Sequence, residues 1–385
     1  MRIALMLRNI EEQGGAGEYA RQISQALPAV DRRNDYVLLF PSSEAARRFT
    51  PDRARAVVVP KVPGKLLWDQ VAVPRVLARE RIDVVVGGKH SIPLVTSARK
   101  VFIMHGADWI SFRENYTPLD NLYHDLMLPQ YLRRADQVIT VSHDSARRIA
   151  AYRPAVRDRL WVVYHGVSPH LRPVTDPVLL ARTRAAYGLP ERFLLFVGQI
   201  YRQKNLPGIL RALARLKERI PHKLVIAGRA SLKAEAELAW IDRLGLAPRV
   251  QPIGWIANQD LAPLYSLADA LVFPSLWEGF GIPIIEAMAC GCPVVTSSAG
   301  SCAEVAGDAG LVVDPHDDAA LAQAIERVAT QAGLARELRR RGLERARRFT
   351  WEQTAQGTVA VLEAAMGSRG PVAGALLGVA PETER

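Results

Sequence analysis

Short apolar runs alternate with helical patterns along this chain, and each half contains its own series of these alternating segments. Strands that alternate with helices usually pair in parallel, with the helices covering the faces of the sheet. The sequence therefore predicts an α/β protein built from doubly wound parallel sheets. The predicted strands are 3–7, 36–40, 56–59, 84–86, 101–104 and 137–141 in the first half, and 193–197, 223–227, 249–253, 270–273 and 294–296 in the second.

A proline-rich stretch separates the two series of strands. Pro169, Pro173 and Pro177 follow the apolar run 162–167 and are expected to break regular structure. A chain of 385 residues is long enough for two domains of ordinary size. We predict domains at 1–173 and 174–350, a helical stretch at 351–366 and a mobile tail at 367–385. Ligands of such sheets bind beyond the carboxyl ends of the strands.

The positive charge of the chain is concentrated in its first half. The net charge is +11, and residues 1–175 hold 26 Lys and Arg against 17 Asp and Glu, which gives +9 and leaves +2 for the remainder. An acidic acceptor, an anionic membrane surface or nucleic acid would explain the excess, and so would an arginine-rich surface without a partner. No nucleic-acid recognition motif accompanies the charge, so no nucleic acid is expected as a partner.

Cysteine usage and hydropathy indicate a cytoplasmic protein. Cys290, Cys292 and Cys302 are too few for a disulfide framework, and no His or Cys partners stand at zinc spacing, so buried thiols are expected. No apolar run approaches about 18 residues, which predicts no transmembrane helix. The opening residues MRIALMLRNI are interpreted as a first strand rather than a targeting segment.

The stretch PSLWEGFGIPIIEAMACGCPVV at 274–295 contains the strongest candidate site. Glu278 and Glu286 stand eight positions apart, and the glycines between them leave backbone amides open to a ligand. Pro283 suits the first turn of a helix, whose N-terminus would then point at this loop and attract anions or hydroxyl-rich ligands. The alternative is that Glu286 is a solvated helix glutamate.

Two further glycine turns follow predicted strands and precede helices, which is a geometry that cradles phosphate. The first contains Gly15 and Gly17 in the segment GGAG, and on its own it is a weak signal. The second is GQIYRQKN at 198–205, where Lys204 can place a positive charge on a diphosphate. A solvated lysine at the start of a helix is the alternative for Lys204.

The segment 278–286 resembles the Glu-x7-Glu signature of retaining glycosyltransferases of family 4, which have the GT-B fold. The resemblance covers most of the chain and continues through AMACGCPVVTS and AEVAGDAGLVVDP. It implies an acceptor-binding Rossmann-like domain at 1–173 that faces, across a cleft, a nucleotide-sugar-binding Rossmann-like domain at 174–350. It also implies that the helix at 351–366 crosses back to the first domain.

The resemblance implies roles for individual residues. Glu286 would hold the ribose hydroxyls, Glu278 the sugar hydroxyls, and Lys204 the charge on the leaving diphosphate. His105, after the strand 101–104, would contact the donor sugar, although a lone histidine is more often structural; His90, His143 and His165 receive no catalytic role. The predicted catalytic set is His105, Lys204 and Glu278, and the donor-binding set is Gly15, Gly17, Gly198, Arg202, Lys204, Asn205, Trp255, Ile256, Glu278, Gly279, Phe280, Gly281 and Glu286.

One position departs from the family pattern. Family members often carry arginine immediately before the lysine, whereas this chain has Gln203 there and Arg202 one residue earlier. The resemblance therefore assigns the diphosphate to Lys204, with Arg202 as an additional candidate one residue away from the family position.

The resemblance implies a retaining hexosyltransferase, with mannose favoured and GDP-mannose as the favoured donor; UDP-glucose and ADP-glucose are alternatives. The acceptor would be a glycan, a lipid-linked molecule or a small molecule, met in the cytoplasm or at the inner face of the membrane. No Asp-x-Asp pair of the metal-holding kind is present, so no metal and no cofactor beyond the nucleotide sugar are expected. The rival hypotheses are an epimerase or phosphorylase of the same fold and an inactive sugar-nucleotide-binding protein.

Overall fold

The computed structural model describes residues 1–229 and 234–367. The chain divides into unit 1, Met1–Gly166 with the segment that begins at Thr350, and unit 2, Val167–Phe349. The first division comes a few residues before the boundary predicted at 173, and the second lies next to the boundary predicted at 350. The tail predicted at 367–385 lies outside the described residues beyond Gly367.

Unit 1 contains a parallel sheet of seven strands in the described part of the chain. The strands are β1 (Arg2–Met6), β2 (Asp35–Phe40), β3 (Ala54–Val58), β4 (Val84–Gly87), β5 (Arg99–Met104), β6 (Gln137–Thr140) and β7 (Leu160–Val162), in the spatial order β3-β2-β1-β4-β5-β6-β7. The helices are α1 (Gly15–Val30), α2 (Ser43–Phe49), α3 (Gly64–Leu67), α4 (Val73–Arg79), α5 (Asp108–Ser111), α6 (Pro118–Arg134) and α7 (His143–Tyr152), and a π turn at Trp68–Ala72 joins α3 to α4.

Strand β1 illustrates why this sheet has helices on both faces. Successive strand residues point to opposite faces. Ile3 and Leu5 belong to one buried cluster, which includes α1, whereas Ala4 and Met6 belong to another, which includes α4. Because both faces of β1 are apolar and buried, the strand reads as a continuous hydrophobic run, as expected for a parallel sheet.

The last helix of the described chain, α17 (Trp351–Ala365), packs within unit 1. Trp351, Val361 and Leu362 share the buried cluster of α1, and the Thr354 hydroxyl donates to the Tyr164 carbonyl over 2.8 Å. The chain therefore returns to the first unit after completing the second. This confirms the returning helix that the resemblance implied.

Unit 2 repeats the architecture with a parallel sheet of six strands in its described residues. The strands are β8 (Phe193–Val197), β9 (Lys223–Ala227), β10 (Val250–Gly254), β11 (Ala270–Phe273), β12 (Val294–Ser297) and β13 (Leu311–Val313), in the order β10-β9-β8-β11-β12-β13. The helices are α8 (Pro177–Ala186), α9 (Leu206–Arg215), α10 (Ala234–Leu238), α11 (Trp240–Arg243), α12 (Asn258–Leu267), α13 (Ile282–Ala289), α14 (Cys302–Ala306), α15 (Asp318–Thr330) and α16 (Ala332–Ala346). The doubly wound α/β prediction is confirmed in each unit.

One expectation about the linker is wrong. Pro177 was expected to break regular structure, but it begins α8, and the Asp176 side chain accepts a hydrogen bond from the Val178 amide over 2.9 Å. Proline is tolerated in the first helical turn because its missing N–H would have no helical partner there.

In the described residues, no helix combines the length and apolar character needed to cross a membrane.

Gly166 allows a close backbone approach inside unit 1, which makes it a sharp test of the fold. A Cβ added at Gly166 would lie 2.3 Å from the Trp351 nitrogen and 2.6 Å from the Thr350 carbonyl carbon, both backbone atoms. Gly166→Ala should therefore lower the free energy of unfolding by about 1–3 kcal/mol or more. Urea unfolding monitored by circular dichroism measures the change.

The matched control is Gly333→Ala in the first turn of α16. A Cβ there meets no atom within 4 Å, and alanine favours helix over glycine, so stability should stay the same or rise by up to about 1 kcal/mol. Equal stabilities of the two variants would contradict the close approach at Gly166.

Candidate functional site

The candidate site of unit 2 lies at the carboxyl ends of its central strands. The chain leaves β8 towards β9 on one side, and β11 is the neighbour of β8 on the other, so the strand order reverses between β8 and β11. Loops diverge at such a point and leave a crevice beyond the strand ends. The loop 198–205 follows β8, and the loop 274–281 follows β11.

Glycines let the backbone at the carboxyl ends of β8, β9 and β10 approach closely. Gly198 has φ of 140° and Gly254 has φ of 71°, and the Gly228 amide donates to the Gly254 carbonyl over 2.8 Å. A Cβ on Gly228 would lie 1.9 Å from the Gly198 carbonyl oxygen. The predicted ligand residue Gly198 is thus held against the end of β9, where only backbone fits.

Gln203 joins the loops that follow β8 and β11. Its carbonyl accepts from the Leu276 amide over 2.8 Å, and its side-chain amide donates to the Trp277 carbonyl over 2.8 Å. Gln203 is buried. This gives a structural reason for glutamine at the position where the family often has arginine.

Asn205 anchors the same loop to the sheet edge. Its side-chain nitrogen donates to the carbonyls of Pro274, over 3.1 Å, and Pro315, over 2.8 Å, and its side-chain oxygen accepts from the Gly208 amide over 3.3 Å. The residue has φ of 55°, a left-handed conformation that asparagine tolerates better than most residues. The structure therefore gives the Asn205 side chain a structural part, as the cap of α9.

The two loops bring Lys204 and Glu278 into direct contact. Lys204 Nζ lies 2.6 Å from Glu278 Oε1, and the two side chains are only 13% and 11% exposed. Nζ also lies 4.8 Å from the centre of the Phe273 ring, within the range of a cation–π interaction. Two of the three predicted catalytic residues thus form one largely buried ion pair at the strand ends.

Backbone contacts hold Glu278 in place on its other side. Its carbonyl accepts from the Ser301 hydroxyl over 3.0 Å and from the Ser301 amide over 3.3 Å. Gly300 has φ of 60°, and a Cβ there would lie 2.7 Å from the Glu278 nitrogen. Gly281, with φ of 90°, then turns the chain into α13, so the amides of 279–281 lie where the helix begins.

Glu286 lies on the second turn of α13 and contacts a residue that the sequence analysis did not single out. The Tyr265 hydroxyl, on α12, donates to Glu286 Oε2 over 2.9 Å. Burial, reinforced by the negative charge of Glu286, raises the pKa of the Tyr265 phenol well above its usual value. The phenol therefore stays protonated and acts as a fixed donor that orients the carboxylate. No periodicity in the sequence signals this pairing.

Other predicted donor-binding residues differ in their solvent exposure. Trp255 is 43% exposed, with the Arg229 guanidinium 5.3 Å from its ring centre, whereas Ile256 and Phe280 are buried and can offer a ligand only backbone groups. Arg202 is exposed, and its charge partly offsets the burial that raises the pKa of Glu237. Arg229 is a further candidate contact that the sequence analysis missed.

The glycine turn of unit 1 precedes α1 as predicted. Gly14, with φ of 94°, precedes the helix, and Gly15 is its first residue and is exposed. Gly17 is required by packing, because a Cβ there would lie 2.0 Å from the Glu12 carbonyl oxygen. The exposed amides at the start of α1 can meet an anion, whereas Gly17 is explained by the turn itself.

His105 follows β5 of unit 1 and belongs to a group of aromatic rings. Its Nε2 lies 2.8 Å from the Gly88 carbonyl, its ring stacks on His165 with centres 5.4 Å apart, and Tyr19 meets its ring edge-on at 4.6 Å. Burial and, to a lesser degree, the nearby charge of His90 lower the pKa of His105 to about 4. His105 is therefore neutral near pH 7. A carbonyl partner at Nε2 assigns the proton to that nitrogen and makes Nδ1 an acceptor.

The predicted site residues therefore fall into two groups. Unit 2 brings together Lys204, Glu278 and the strand-end glycines, with Glu286 on the adjoining helix. Unit 1 holds Gly15, Gly17 and His105.

The sequence profile described as "Glycosyl transferases group 1" matches residues 182–348, and the one described as "Glycosyltransferase Family 4" matches residues 13–171. Together they take in most of both units. The chain belongs to glycosyltransferase family 4.

Curated relatives of this glycosyltransferase family member include two mannosyltransferases of Escherichia coli. The serotype-specific mannosyltransferase WbdA is 30% identical over 230 residues, which are 58% of this chain and 28% of WbdA. The O-antigen chain mannosyltransferase B is 32% identical over 247 residues, which are 63% of this chain and 65% of that protein. The match thus spans about a quarter of WbdA and just under two thirds of mannosyltransferase B.

Solved structures share the fold over nearly the whole chain. Sucrose-phosphate synthase from Thermosynechococcus elongatus has a TM-score of 0.73 at 24% identity and covers 96% of this chain and 100% of its own. Anabaena HepE, solved in complex with UDP and glucose, has a TM-score of 0.74 at 22% identity, over 94% of this chain and 100% of its own. At these identities the likeness establishes the fold.

The cysteines of this family member are all buried and free. Burial raises the pKa of Cys292 and Cys302 to about 12, and it raises that of Cys290 further. Among residues 1–229 and 234–367, no group of three or more His, Cys, Asp or Glu side chains is arranged to hold a metal ion.

The lowered pKa of His105 predicts how stability depends on pH. The imidazole is neutral in the folded protein down to about pH 4, whereas the unfolded chain takes up a proton below about pH 6.5. Protonation therefore favours the unfolded state, so the stabilisation is complete above about pH 6.5 and is lost as pH falls towards 4. The loss attributable to His105 is at most about 3 kcal/mol, reduced by its partial exposure.

Urea unfolding at pH 7, 6 and 5 measures this dependence. His105→Asn, which cannot titrate, should lose less stability than the wild type over that range. His170→Asn replaces an exposed histidine of unit 2 and serves as the control. Parallel pH profiles for the wild type and His105→Asn would contradict a lowered pKa of His105 in the folded protein.

Proposed function

We propose that the protein transfers a hexose, with mannose favoured, from a nucleotide-diphosphate sugar to a hydroxyl of a glycan, lipid-linked or small-molecule acceptor. The observation that carries the proposal is the Lys204–Glu278 pair at the carboxyl edge of the unit 2 sheet, in a chain of this family. A cation beside a carboxylate suits such a donor, because its diphosphate is anionic and its sugar hydroxyls donate hydrogen bonds.

The favoured donor is GDP-mannose. This choice of donor is supported by the two mannosyltransferases at 30% and 32% identity and by the sequence segment EGFGIP at 278–283. The nucleotide sugar acts as a co-substrate, and no further cofactor or metal is required. The absence of an Asp-x-Asp pair leaves Lys204 and the amides at the start of α13 to neutralise the departing diphosphate.

Each carboxylate has a separate task in this proposal. When the nucleotide sugar is bound next to Lys204, Glu278 accepts hydrogen bonds from the sugar hydroxyls. The amides of 279–281 donate further hydrogen bonds at the start of α13. Glu286 accepts from the ribose hydroxyls, and the Tyr265 phenol keeps its carboxylate oriented over 2.9 Å. Since both carboxylates hold the donor, neither serves as the base for the acceptor.

The reaction proceeds with retention of the anomeric configuration. The acceptor hydroxyl forms its bond to the anomeric carbon on the face from which the diphosphate leaves, and its proton passes to a diphosphate oxygen. His105, which the family resemblance assigns to the donor sugar, is neutral and acts as a hydrogen-bond acceptor at Nδ1 rather than as an acid. The protein acts in the cytoplasm, with an acceptor that is anionic or lipid-linked and met at the inner face of the membrane.

Removing the Glu286 carboxylate tests the donor site. Glu286→Ala should weaken GDP binding by about 1.5–3 kcal/mol, because it removes hydrogen bonds between an ionised acceptor and the ribose. Tyr265→Phe should weaken it less, because the carboxylate remains but loses the phenol that orients it. Isothermal titration calorimetry with GDP measures both changes.

Glu326→Ala is the matched control for Glu286→Ala. Glu326 is a glutamate of α15 in the same unit, and its carboxylate contacts Arg219 on the surface. GDP affinity should be unchanged in this variant. Equal GDP affinity for Glu286→Ala and the wild type would remove the ribose assignment.

Product stereochemistry and metal dependence test the reaction itself. With an α-linked donor and excess chelator, turnover should persist and the product should be α-linked, as read from its anomeric coupling constant by NMR. A β-linked product would require a general base other than the residues assigned here. Activity that chelator abolishes and Mg²⁺ or Mn²⁺ restores would show that Lys204 and the helix amides do not neutralise the diphosphate alone.

A further inference from the structure

Helix α6 of unit 1 presents leucines to solvent as well as to the core. Its buried residues include His124, Leu128 and Leu132. On the outer side, Leu119, Leu122 and Leu126 are 75%, 53% and 60% exposed. Their spacing of three and four residues places them on one line along the helix. A surface helix normally carries polar residues on its outer side, whereas α6 is apolar there as well over about two turns.

Helix α3 extends the apolar surface. Leu66 and Leu67 are each 44% exposed. The preceding Lys65 reaches across to α6, where its Nζ lies 3.6 Å from Asp120 Oδ1 and 4.0 Å from the centre of the Tyr123 ring. The exposed leucines of α3 and α6 therefore lie on neighbouring elements. We call these residues, Leu66, Leu67, Leu119, Leu122 and Leu126, the leucine face.

Clusters of large exposed side chains mark an interaction site, whereas isolated ones are common on any surface. The leucine face accounts for five of the twelve large hydrophobic side chains exposed in the described residues. It belongs to unit 1 and involves no residue of the proposed donor site.

The charges around the leucine face indicate what it meets. Two acidic side chains of α6 are already paired, Asp120 with Lys65 and Asp125 with Arg113, the latter through two hydrogen bonds of 2.8 and 2.7 Å. At the end of α6, Arg133 and Arg134 are exposed, and the hydrogen bonds that they donate go to uncharged groups, the Gln130 side chain and the Leu94 carbonyl.

Arg133 also continues the line of the leucines. It lies seven residues after Leu126, two helical turns further along the same side. An apolar line that ends in cations is the arrangement by which a helix lies in the interface of an anionic bilayer, with its leucines among the acyl chains and its arginines at the headgroups.

A second copy of the chain fits this surface less well. A symmetric contact through the leucine face would bring the basic ends of two α6 helices, and two halves that each carry +9, towards each other. An anionic lipid surface attracts the same charges. We propose that the leucine face is a membrane-docking surface that takes the headgroup region of an anionic bilayer. This inference rests on the proposed function to the extent that a lipid-linked acceptor would be met there.

Vesicle co-sedimentation at low salt tests the docking surface. The wild type should bind vesicles of phosphatidylglycerol and phosphatidylcholine more tightly than vesicles of phosphatidylcholine alone. The triple variant Leu119→Ser, Leu122→Ser, Leu126→Ser should bind the anionic vesicles about tenfold more weakly or worse, because the apolar contribution is lost. Arg133→Gln with Arg134→Gln should instead lose much of the preference for anionic vesicles.

Val178→Ser is the matched control, because Val178 is 75% exposed but lies on α8 of unit 2. It should bind both kinds of vesicle as the wild type does. GDP binding in solution, without vesicles, should be the same in all these proteins. The leucine and arginine changes lie in unit 1, and Val178 of the control is an exposed residue outside the proposed donor site. Loss of vesicle binding with intact GDP binding therefore separates the docking surface from the donor site.

Two outcomes would overturn the proposal. One is vesicle binding by the triple leucine variant that equals that of the wild type. The other is a wild-type dimer, detected by analytical ultracentrifugation, that becomes monomeric in the triple variant while neither protein binds vesicles. The second outcome would assign the leucine face to another copy of the chain. Failure of GDP binding in the wild type would count against the proposed function and leave the vesicle result to stand by itself.

Discussion

The ion pair between Lys204 and Glu278 is the interaction on which the unit 2 site depends. Bringing two charges together out of water costs desolvation energy, which is recovered only if the geometry is good. Here backbone contacts supply that geometry. Gln203 ties the two loops together, and Gly300 lets the chain pass within contact distance of Glu278. Glycines and buried polar side chains around the pair therefore set its geometry.

The same pair sets the conditions for a ligand. A bare diphosphate would compete with Glu278 for the Lys204 ammonium group, and it would offer no hydrogen-bond donor to that largely buried carboxylate. A nucleotide sugar would offer a group to each partner, phosphate to the lysine and hydroxyls to the glutamate. Under the proposed function this favours the intact donor over the diphosphate product, because an unpaired buried charge is costly.

Sequence patterns predicted the buried framework better than the contacts that build the site. The strands 193–197, 223–227 and 270–273 match the structure residue for residue, since they are buried runs bounded by turn residues. Strand β13, Leu311–Val313, was missed because it is a three-residue edge strand without a buried side chain. The contact between Lys204 and Glu278 spans 74 residues and depends on β8 lying beside β11, a strand order that local patterns do not encode. Tyr265 was missed for a similar reason, because its partner lies on another helix.

The burial of all three cysteines has a practical consequence. A thiol reacts through its thiolate, and burial both restricts access to these sulfur atoms and disfavours their ionisation. The native thiols of the folded protein should therefore not react with maleimide dyes or thiol-directed spin labels. A single cysteine introduced on an exposed helix would carry the only reporter in the molecule, so fluorescence or electron paramagnetic resonance could follow one chosen surface without first removing the native thiols.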